Sequence, residues 1–313
     1  MVVGASGFVG SHVCAALEAR GIEVIRARAP RIAQVSGSGT DAAAHVDVAA
    51  HVEQQDLDPT LIDSWAGADA LVNAAGDPDA SSRDAGALDA ANGALPGLLG
   101  RLALAAGIPR YVHVSSAVVQ GRRLILDASD AFDAFSPYAR SKVLGERLAS
   151  RFGPEETVCY RPPSVHHESR RGTQLTAKIA SSALSSVASP GTQHTPQALA
   201  ANVGDAIAEL ATCEATPPRV VIHPWEGLNC EGLLELLGGR RPKRLPRWFA
   251  RAAVRALAAA GTTLPRLSAN ARRIEMVWFG QDQDESWLTR QGWVPPVGFE
   301  GWRALRERLG SHR

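Results

Sequence analysis

Val2-Val3-Gly4-Ala5-Ser6-Gly7-Phe8-Val9-Gly10-Ser11-His12 opens the chain as a short strand, a tight glycine turn and a helix running to about Arg20. Val9, Val13, Ala16 and Leu17 recur at helical spacing and supply the apolar face, and Gly21 is placed to end the helix. Such a turn lets backbone amides and the helix dipole approach and stabilise a pyrophosphate. The spacing is G-x-x-G-x-x-G rather than the commoner G-x-G-x-x-G, so alone the turn is a weak sign of a dinucleotide site. Three residues precede Gly4, whereas a core strand commonly has about five or six. Either the first strand is unusually short or the native start lies upstream.

A second stretch, Ser136-Pro137-Tyr138-Ala139-Arg140-Ser141-Lys142, supplies the chemistry. Positions i and i+4 share a helix face, so the Lys142 ammonium is expected beside the Tyr138 phenol, favouring its ionised form. A tyrosine so activated exchanges a proton with an alcohol or carbonyl while a nicotinamide ring exchanges the hydride. The bland alternative, a packing tyrosine and a solvated lysine, loses weight because the glycine turn occurs in the same chain.

Between the two motifs, short β-rich runs at 22–26, 70–74, 111–115 and 157–160 alternate with helical patterns at 98–106 and 138–151. Alternation of this kind specifies an α/β fold with a parallel sheet covered on both faces. Residues 29–60, rich in Ala, Gly, Ser and Asp, hold a loosely placed third strand. After Val165 the sequence turns polar and helix-biased. It returns to a core-like helix and strand at 203–211 and 219–222, then leaves again. The expected division is a dinucleotide-binding domain at 1–164 and 199–225 and a substrate lobe at 165–198 and 226–313, with ligand in the cleft between them.

Together these motifs resemble the extended short-chain dehydrogenase/reductase superfamily, in particular its NAD(P)-dependent epimerase/dehydratase family, over most of the chain. The resemblance implies a Rossmann-like doubly wound parallel sheet with a smaller C-terminal substrate-binding lobe. It implies that Gly4, Ser6, Gly7, Phe8, Val9 and Gly10 meet the cofactor, as do Asn73, Ala74 and Ala75 of Leu71-Val72-Asn73-Ala74-Ala75-Gly76, and Asn92 on the helix that follows. The run from Val112 to Gly121 resembles the strand and loop that deliver the catalytic hydroxyl, assigned to Ser116 with Ser115 as the neighbouring candidate. Tyr160-Arg161-Pro162-Pro163-Ser164-Val165 resembles the passage beside the nicotinamide, which adds Pro162 and Val165 to the cofactor set, and residues 288–295 resemble the family's C-terminal element. Five motifs in the right order are more specific than any one of them. In this scheme Ser116 binds the substrate oxygen, Tyr138 moves the proton, and Lys142 acidifies Tyr138 and holds the nicotinamide ribose.

Two positions depart from the family pattern. Gln120 stands where a Tyr is common, and His166-His167-Glu168 stands where a Tyr-Gly-Pro run is common. Both are expected on the substrate side, with His166 lining the pocket. Arg28 occupies the end of the second strand, where NAD-preferring members carry an acid, with Arg26 and Arg31 nearby. Guanidinium groups bind a 2′-phosphate that a carboxylate would repel, so NADP is the expected cofactor, with NAD also allowed.

Composition narrows the partners. The chain has 313 residues, long enough for a core domain plus a lobe, and its formal net charge is +1, which offers no global field for nucleic acid. Its four cysteines lack C-x-x-C spacing and read as reduced thiols of a cytoplasmic protein. Nothing resembles a signal peptide, and no apolar run reaches transmembrane length. The nine histidines show no i, i+4 pair beside a carboxylate, so no metal site is expected. Trp278, Trp287, Trp293 and Trp302 read as core of the C-terminal lobe. Arg247, Arg251 and Arg255 recur every four residues opposite Trp248, Phe249, Val254 and Leu257, by default a packed helix with a solvated face, or else a membrane-surface helix or phosphate-binding wall.

The leading expectation is an NADP-dependent ketoreductase or epimerase acting on a nucleotide sugar, whose phosphates would meet Arg170, Arg171, Lys178 and the arginines from Arg240 to Arg255. A reductase of apolar ring carbonyls, of the dihydroflavonol reductase or 3β-hydroxysteroid dehydrogenase type, is the second. A non-catalytic nucleotide-binding subunit is the third, and it has no need of the proton-relay residues. A dehydratase would want an added acid/base pair beside Ser116, which Ala117-Val118 does not supply. The resemblance leaves open a homodimer paired through the Tyr138 helix.

Overall fold

The computed structural model describes residues 1–30, 32, 42–260 and 274–311. Six strands form one parallel sheet: β1 (Val2–Val3), β2 (Arg26–Ala27), β3 (Ala70–Asn73), β4 (Arg110–Val114), β5 (Glu156–Arg161) and β6 (Val220–Ile222), in the order β6-β5-β4-β3-β1-β2. Registers run Val2 to Val72, Val72 to Val112, Val112 to Val158 and Cys159 to Val220. Because alternate residues of a strand face opposite ways, the central strands feed two cores. Val72, Val112, Val158 and Tyr160 point to one, with helices α1 (Phe8–Ala19) and α6 (Ala200–Thr212). Leu71, Tyr111 and Cys159 point to the other, with helix α4 (Leu95–Ala105). Helices α2 (Ala42–Gln54) and α3 (Pro59–Trp65) cross between β2 and β3.

The expected strand at 22–26 is displaced. The ladder holds only Arg26 and Ala27, because their partner β1 offers only Val2 and Val3. In 42–60 the chain is helical rather than extended, and the rest of the loosely placed third strand falls largely outside the described residues. The other elements lie within three residues of expectation.

Helix α5 (Pro137–Phe152) carries Tyr138 and Lys142. It starts where its sequence dictates: the Ser136 hydroxyl accepts from the Ala139 amide at 3.1 Å, and Pro137 fills the first turn, where its missing N–H costs nothing. A third core lies among residues 177–309, with Leu199, Leu228, Leu233, Leu234, Trp302 and Leu305. Of the four tryptophans expected there, Trp302 is buried in it, whereas Trp287 and Trp293 pack against the sheet's own core and Trp278 is half-buried. The chain returns to the sheet at residues 286–293, where the Ser286 hydroxyl donates to the β6 carbonyl of Ile222 at 2.6 Å.

Candidate active site

In an open parallel sheet the ligand crevice lies beyond the carboxyl ends of the strands, where the strand order reverses. Here the reversal falls between β1 and β3. The two loops leaving them touch: Gly4 has φ +81°, and a Cβ on it would stand 2.6 Å from the Ala75 amide nitrogen. Glycine is therefore required at this position by both its backbone angle and its space. Gly7 caps α1 with no side chain bonded to the helix amides, so the first-turn N–H groups keep their donors for an anion. A glycine turn of this shape with uncapped amides suits a dinucleotide pyrophosphate.

A cleft of about 1200 Å³ runs from this turn across the ends of β3, β4 and β5. Of the residues expected at the cofactor or in catalysis, Val9, Ala74, Ala75, Ser115, Ser116, Tyr138, Lys142, Pro162 and Val165 line it, whereas Gly4, Ser6, Gly7, Phe8 and Gly10 are not among its lining residues. Arg28 is exposed just after β2 and lies outside the lining. Asn73 and Asn92 sit behind the wall. The Asn73 carboxamide accepts from the Ala75 amide at 3.0 Å, shaping the β3 loop. Asn92 lies in a π-helical turn, Asp89–Ala94, and brackets Asp77: it accepts from the Asp77 amide at 3.0 Å and donates to the Asp77 carbonyl at 3.1 Å.

Ser115 and Ser116 have different environments. Ser115 is buried and gives its hydroxyl to Glu146, whereas Ser116 is half-buried and only weakly engaged, accepting from the Val118 amide at 3.3 Å. Lys142 is buried and donates to the Val114 carbonyl at 3.3 Å. Burial brings its ammonium down to about 8, with the carboxylates of Glu146 and Asp77 opposing. Burial pushes the Tyr138 phenol up to about 12; the Arg170 guanidinium opposes this and the Asp77 charge adds to it. Arg170, which the sequence did not place beside the phenol, is thus a cation that favours its ionised form.

The two departures from the family pattern do not face the cleft. Gln120 is fully buried, donating to the Asp127 carboxylate and accepting from the Asp127 amide at 2.8 Å, so it fixes a loop. His166 is bonded to Gln197 and Thr173 at 2.8 and 3.2 Å and lies against the Trp302 ring, inside the lobe. Of the cations expected at substrate phosphates only Arg170 lines the cleft, joined by Arg83 and Arg122, which sequence reasoning missed. Both follow motifs that were recognised, Arg83 the loop after β3 and Arg122 the turn glycine Gly121. Phe135, Met276 and Gln281 complete the far wall.

A glycine turn at the reversal of a parallel sheet, with a tyrosine and lysine opposite, defines a nicotinamide-dinucleotide enzyme of the Rossmann type. The chain belongs to the NAD dependent epimerase/dehydratase family, whose model matches residues 1–219. It is an enzyme of that family, and a nicotinamide cofactor goes with membership. Among solved structures it is similar to MoeE5 in complex with UDP-glucose and NAD, at 18% identity and TM-score 0.63, covering 99% of this chain and 98% of that one. It is similar to UDP-glucuronic acid 4-epimerase from Bacillus cereus in complex with NAD, at 16% identity, TM-score 0.63 and the same coverage. It is also similar to dTDP-4-dehydrorhamnose reductase from Bacillus anthracis in complex with NADP, at 11% identity and TM-score 0.61, covering 100% and 98% of the two chains. At such identities the likeness is one of fold. The comparison with curated proteins gives no match.

Proposed function

We propose that the protein is an NAD(P)-dependent oxidoreductase or epimerase acting on a nucleotide sugar, with Ser116, Tyr138 and Lys142 as its proton-handling set. The carrying observation is that these three residues share one cleft with Arg83, Arg122 and Arg170. Three guanidinium groups suit a diphosphate, which they bind in bidentate fashion. The cofactor supplies hydride exchange when bound, with its pyrophosphate at the amides of the Gly4–Gly10 turn and its nicotinamide end near Pro162 and Val165.

The protein's part is to place and protonate the substrate oxygen. Ser116, whose hydroxyl carries only a long bond, is available to donate to that oxygen. Tyr138 is neutral at physiological pH, so it enters as a general acid that gives its proton to a carbonyl oxygen gaining negative charge. Lys142, charged below about pH 8, and Arg170 stabilise the phenolate left behind. Reoxidation of the same carbon would run these steps in reverse. Arg28 favours NADP over NAD, because no carboxylate stands at its place to repel a 2′-phosphate.

The cleft has an apolar wall at Leu126, Phe135 and Met276, and this favours the apolar-carbonyl reductase as second reading. Thermal-shift titration separates the two. UDP or dTDP should raise the melting temperature in a salt-dependent way and compete with substrate. Stabilisation by a hydrophobic ketone and by neither nucleotide would transfer the assignment to the second reading.

A further inference from the structure

The helix Arg247–Ala260 packs on one side and exposes its arginines, but its apolar residues are divided differently from the single face that its sequence suggested. Its four large apolar residues do not share a face. Val254 and Leu257 are half-buried around the fully buried Ala250, whereas Trp248 is 74% exposed and Phe249 47% exposed. Trp248, Ala252 and Ala256 stand at i, i+4 and i+8, and all are exposed. Arg247, Arg251 and Arg255 form the adjoining row, one residue out of step, and are exposed too. The outward surface is therefore a cationic strip beside an apolar strip.

Residues 240–255 contain seven cations and no carboxylate. Two of these cations have acidic partners from residues 231–235: Arg244 meets Glu231 at 2.7 Å and Arg241 approaches Glu235 at 3.9 Å. Arg247 lies over the Phe279 ring at 5.8 Å. Neither Arg251 nor Arg255 has an ion-pair partner among the described residues.

We infer that this helix docks the protein on an anionic lipid surface, with Trp248 and Phe249 entering the headgroup boundary and the arginine row meeting lipid phosphates. An exposed ridge with aromatic residues on one flank and arginines on the other has the composition of a helix lying in a membrane interface. Charge complementarity selects the occupant. A second copy of this chain, docked by the same patch, would set seven cations against seven. A nucleic acid strand is tracked by a cationic groove with stacking platforms, whereas this patch is a convex ridge bearing alanines. No helix among the described residues is long and apolar enough to cross a membrane, so the attachment is peripheral. Phe279, under Arg247, lies three residues from Met276 on the cleft wall, so the patch adjoins the element that carries that wall.

The test uses the full chain and phosphatidylglycerol-containing vesicles, against phosphatidylcholine vesicles as control. The protein should co-sediment with the anionic vesicles only, and less so as salt rises. Replacing Arg247, Arg251 and Arg255 with Gln should weaken binding about 100-fold at low salt, taking the worth of each interfacial cation as about five-fold. Replacing Trp248 and Phe249 with Ser should also abolish co-sedimentation. Brominated lipid should quench the parent's fluorescence more than that of the Trp248→Ser single variant. All variants should keep parental melting temperatures and cofactor binding, so their failure to bind lipid would not reflect misfolding. Failure of the parent to bind anionic vesicles would overturn the proposal, as would binding unaffected by either set of substitutions. Concentration-dependent self-association lost in the Trp248 and Phe249 variant would reassign the patch to a second copy, and tight binding of a single-stranded oligonucleotide to nucleic acid.

Discussion

Arg161 and Glu146 form a buried bidentate ion pair, with Nε and Nη2 at 2.9 and 2.7 Å from the two carboxylate oxygens and side chains 0% and 4% exposed. The pair joins the end of β5 to the middle of α5, one turn beyond Lys142. Ser115, at the end of β4, adds its hydroxyl to the same carboxylate. Three elements that border the cleft are thereby locked to one another. Arg161 also donates to the Ser129 carbonyl at 2.8 Å and the Asp127 carbonyl at 3.2 Å, which anchors the loop held by Gln120.

Removing one partner of a buried pair leaves an uncompensated charge, which costs about 3–5 kcal/mol. Glu146→Gln should therefore destabilise the protein by about that much in reversible denaturant unfolding. Ser115→Ala, which leaves the charges paired, should lose only about 1–3 kcal/mol, the cost of one unmet buried hydrogen bond. Equal losses in the two variants would show that the ion pair is not what holds these elements together.

The titration of Lys142 sets an upper pH limit. Its ammonium is present below about 8 and lost above it, while Tyr138, raised to about 12, stays protonated throughout. If reduction needs both groups protonated, kcat/KM should be flat near neutrality and fall as pH rises through about 8. Lys142→Arg should extend the plateau upward, because a guanidinium does not deprotonate in this range. Tyr138→Phe should lower turnover about 10² to 10⁴-fold with cofactor affinity unchanged, since only the proton-transfer hydroxyl is removed. A profile that keeps rising beyond pH 9, or a phenylalanine variant near parental rate, would remove these residues from the mechanism.

Cofactor choice rests on Arg28. Calorimetric titration of the parent protein should give tighter binding of NADP than of NAD, and Arg28→Asp should reverse the order. Because Arg28 is exposed and outside the cleft lining, the substitution should leave the melting temperature of the free protein nearly unchanged. Equal affinities in the parent would take away the basis for the NADP assignment.

How far the sequence speaks depends on whether a feature is local. The Gly4–Gly10 turn, the Tyr138/Lys142 spacing and the alternation of apolar strands with helices are set by neighbours within a few residues, and each lies close to its expected place. The cleft's cations depend on which loops the sheet gathers at its carboxyl edge. Arg171, Lys178 and the Arg240–Arg255 run were plausible by charge alone, yet only Arg170 of that set reaches the wall, and Arg83 and Arg122 come from loops with no phosphate-binding signature. Gln120 and His166 were placed on the substrate side because they replace residues that stand there in relatives, but both are buried and their amide and imidazole groups found partners in Asp127, Gln197 and Thr173. Glu146 was the accessible omission. It repeats the spacing of Tyr138 and Lys142 by one further turn, and a carboxylate on that buried row calls for a cation, which Arg161 provides.

Arg170 connects the two halves of the proposed chemistry. Its guanidinium lies 4.8 Å from the centroid of the Phe8 ring, on the glycine-turn side of the cleft, and its charge favours ionisation of Tyr138. A cation so placed faces both a phosphate-bearing ligand and the proton donor, so its loss should have two separable effects. Arg170→Met keeps the stem over Phe8 and removes the charge. Affinity for UDP should fall about 10-fold or more, the loss expected on removing a charge-assisted hydrogen bond, and the salt dependence of that affinity should weaken. Independently, kcat should fall, because the phenolate formed on proton transfer loses a stabilising charge. Arg171→Met, one residue along and outside the cleft lining, serves as the control and should change neither quantity. If both variants lower UDP affinity equally, Arg170 acts through the general basic field of its loop and not through the cleft.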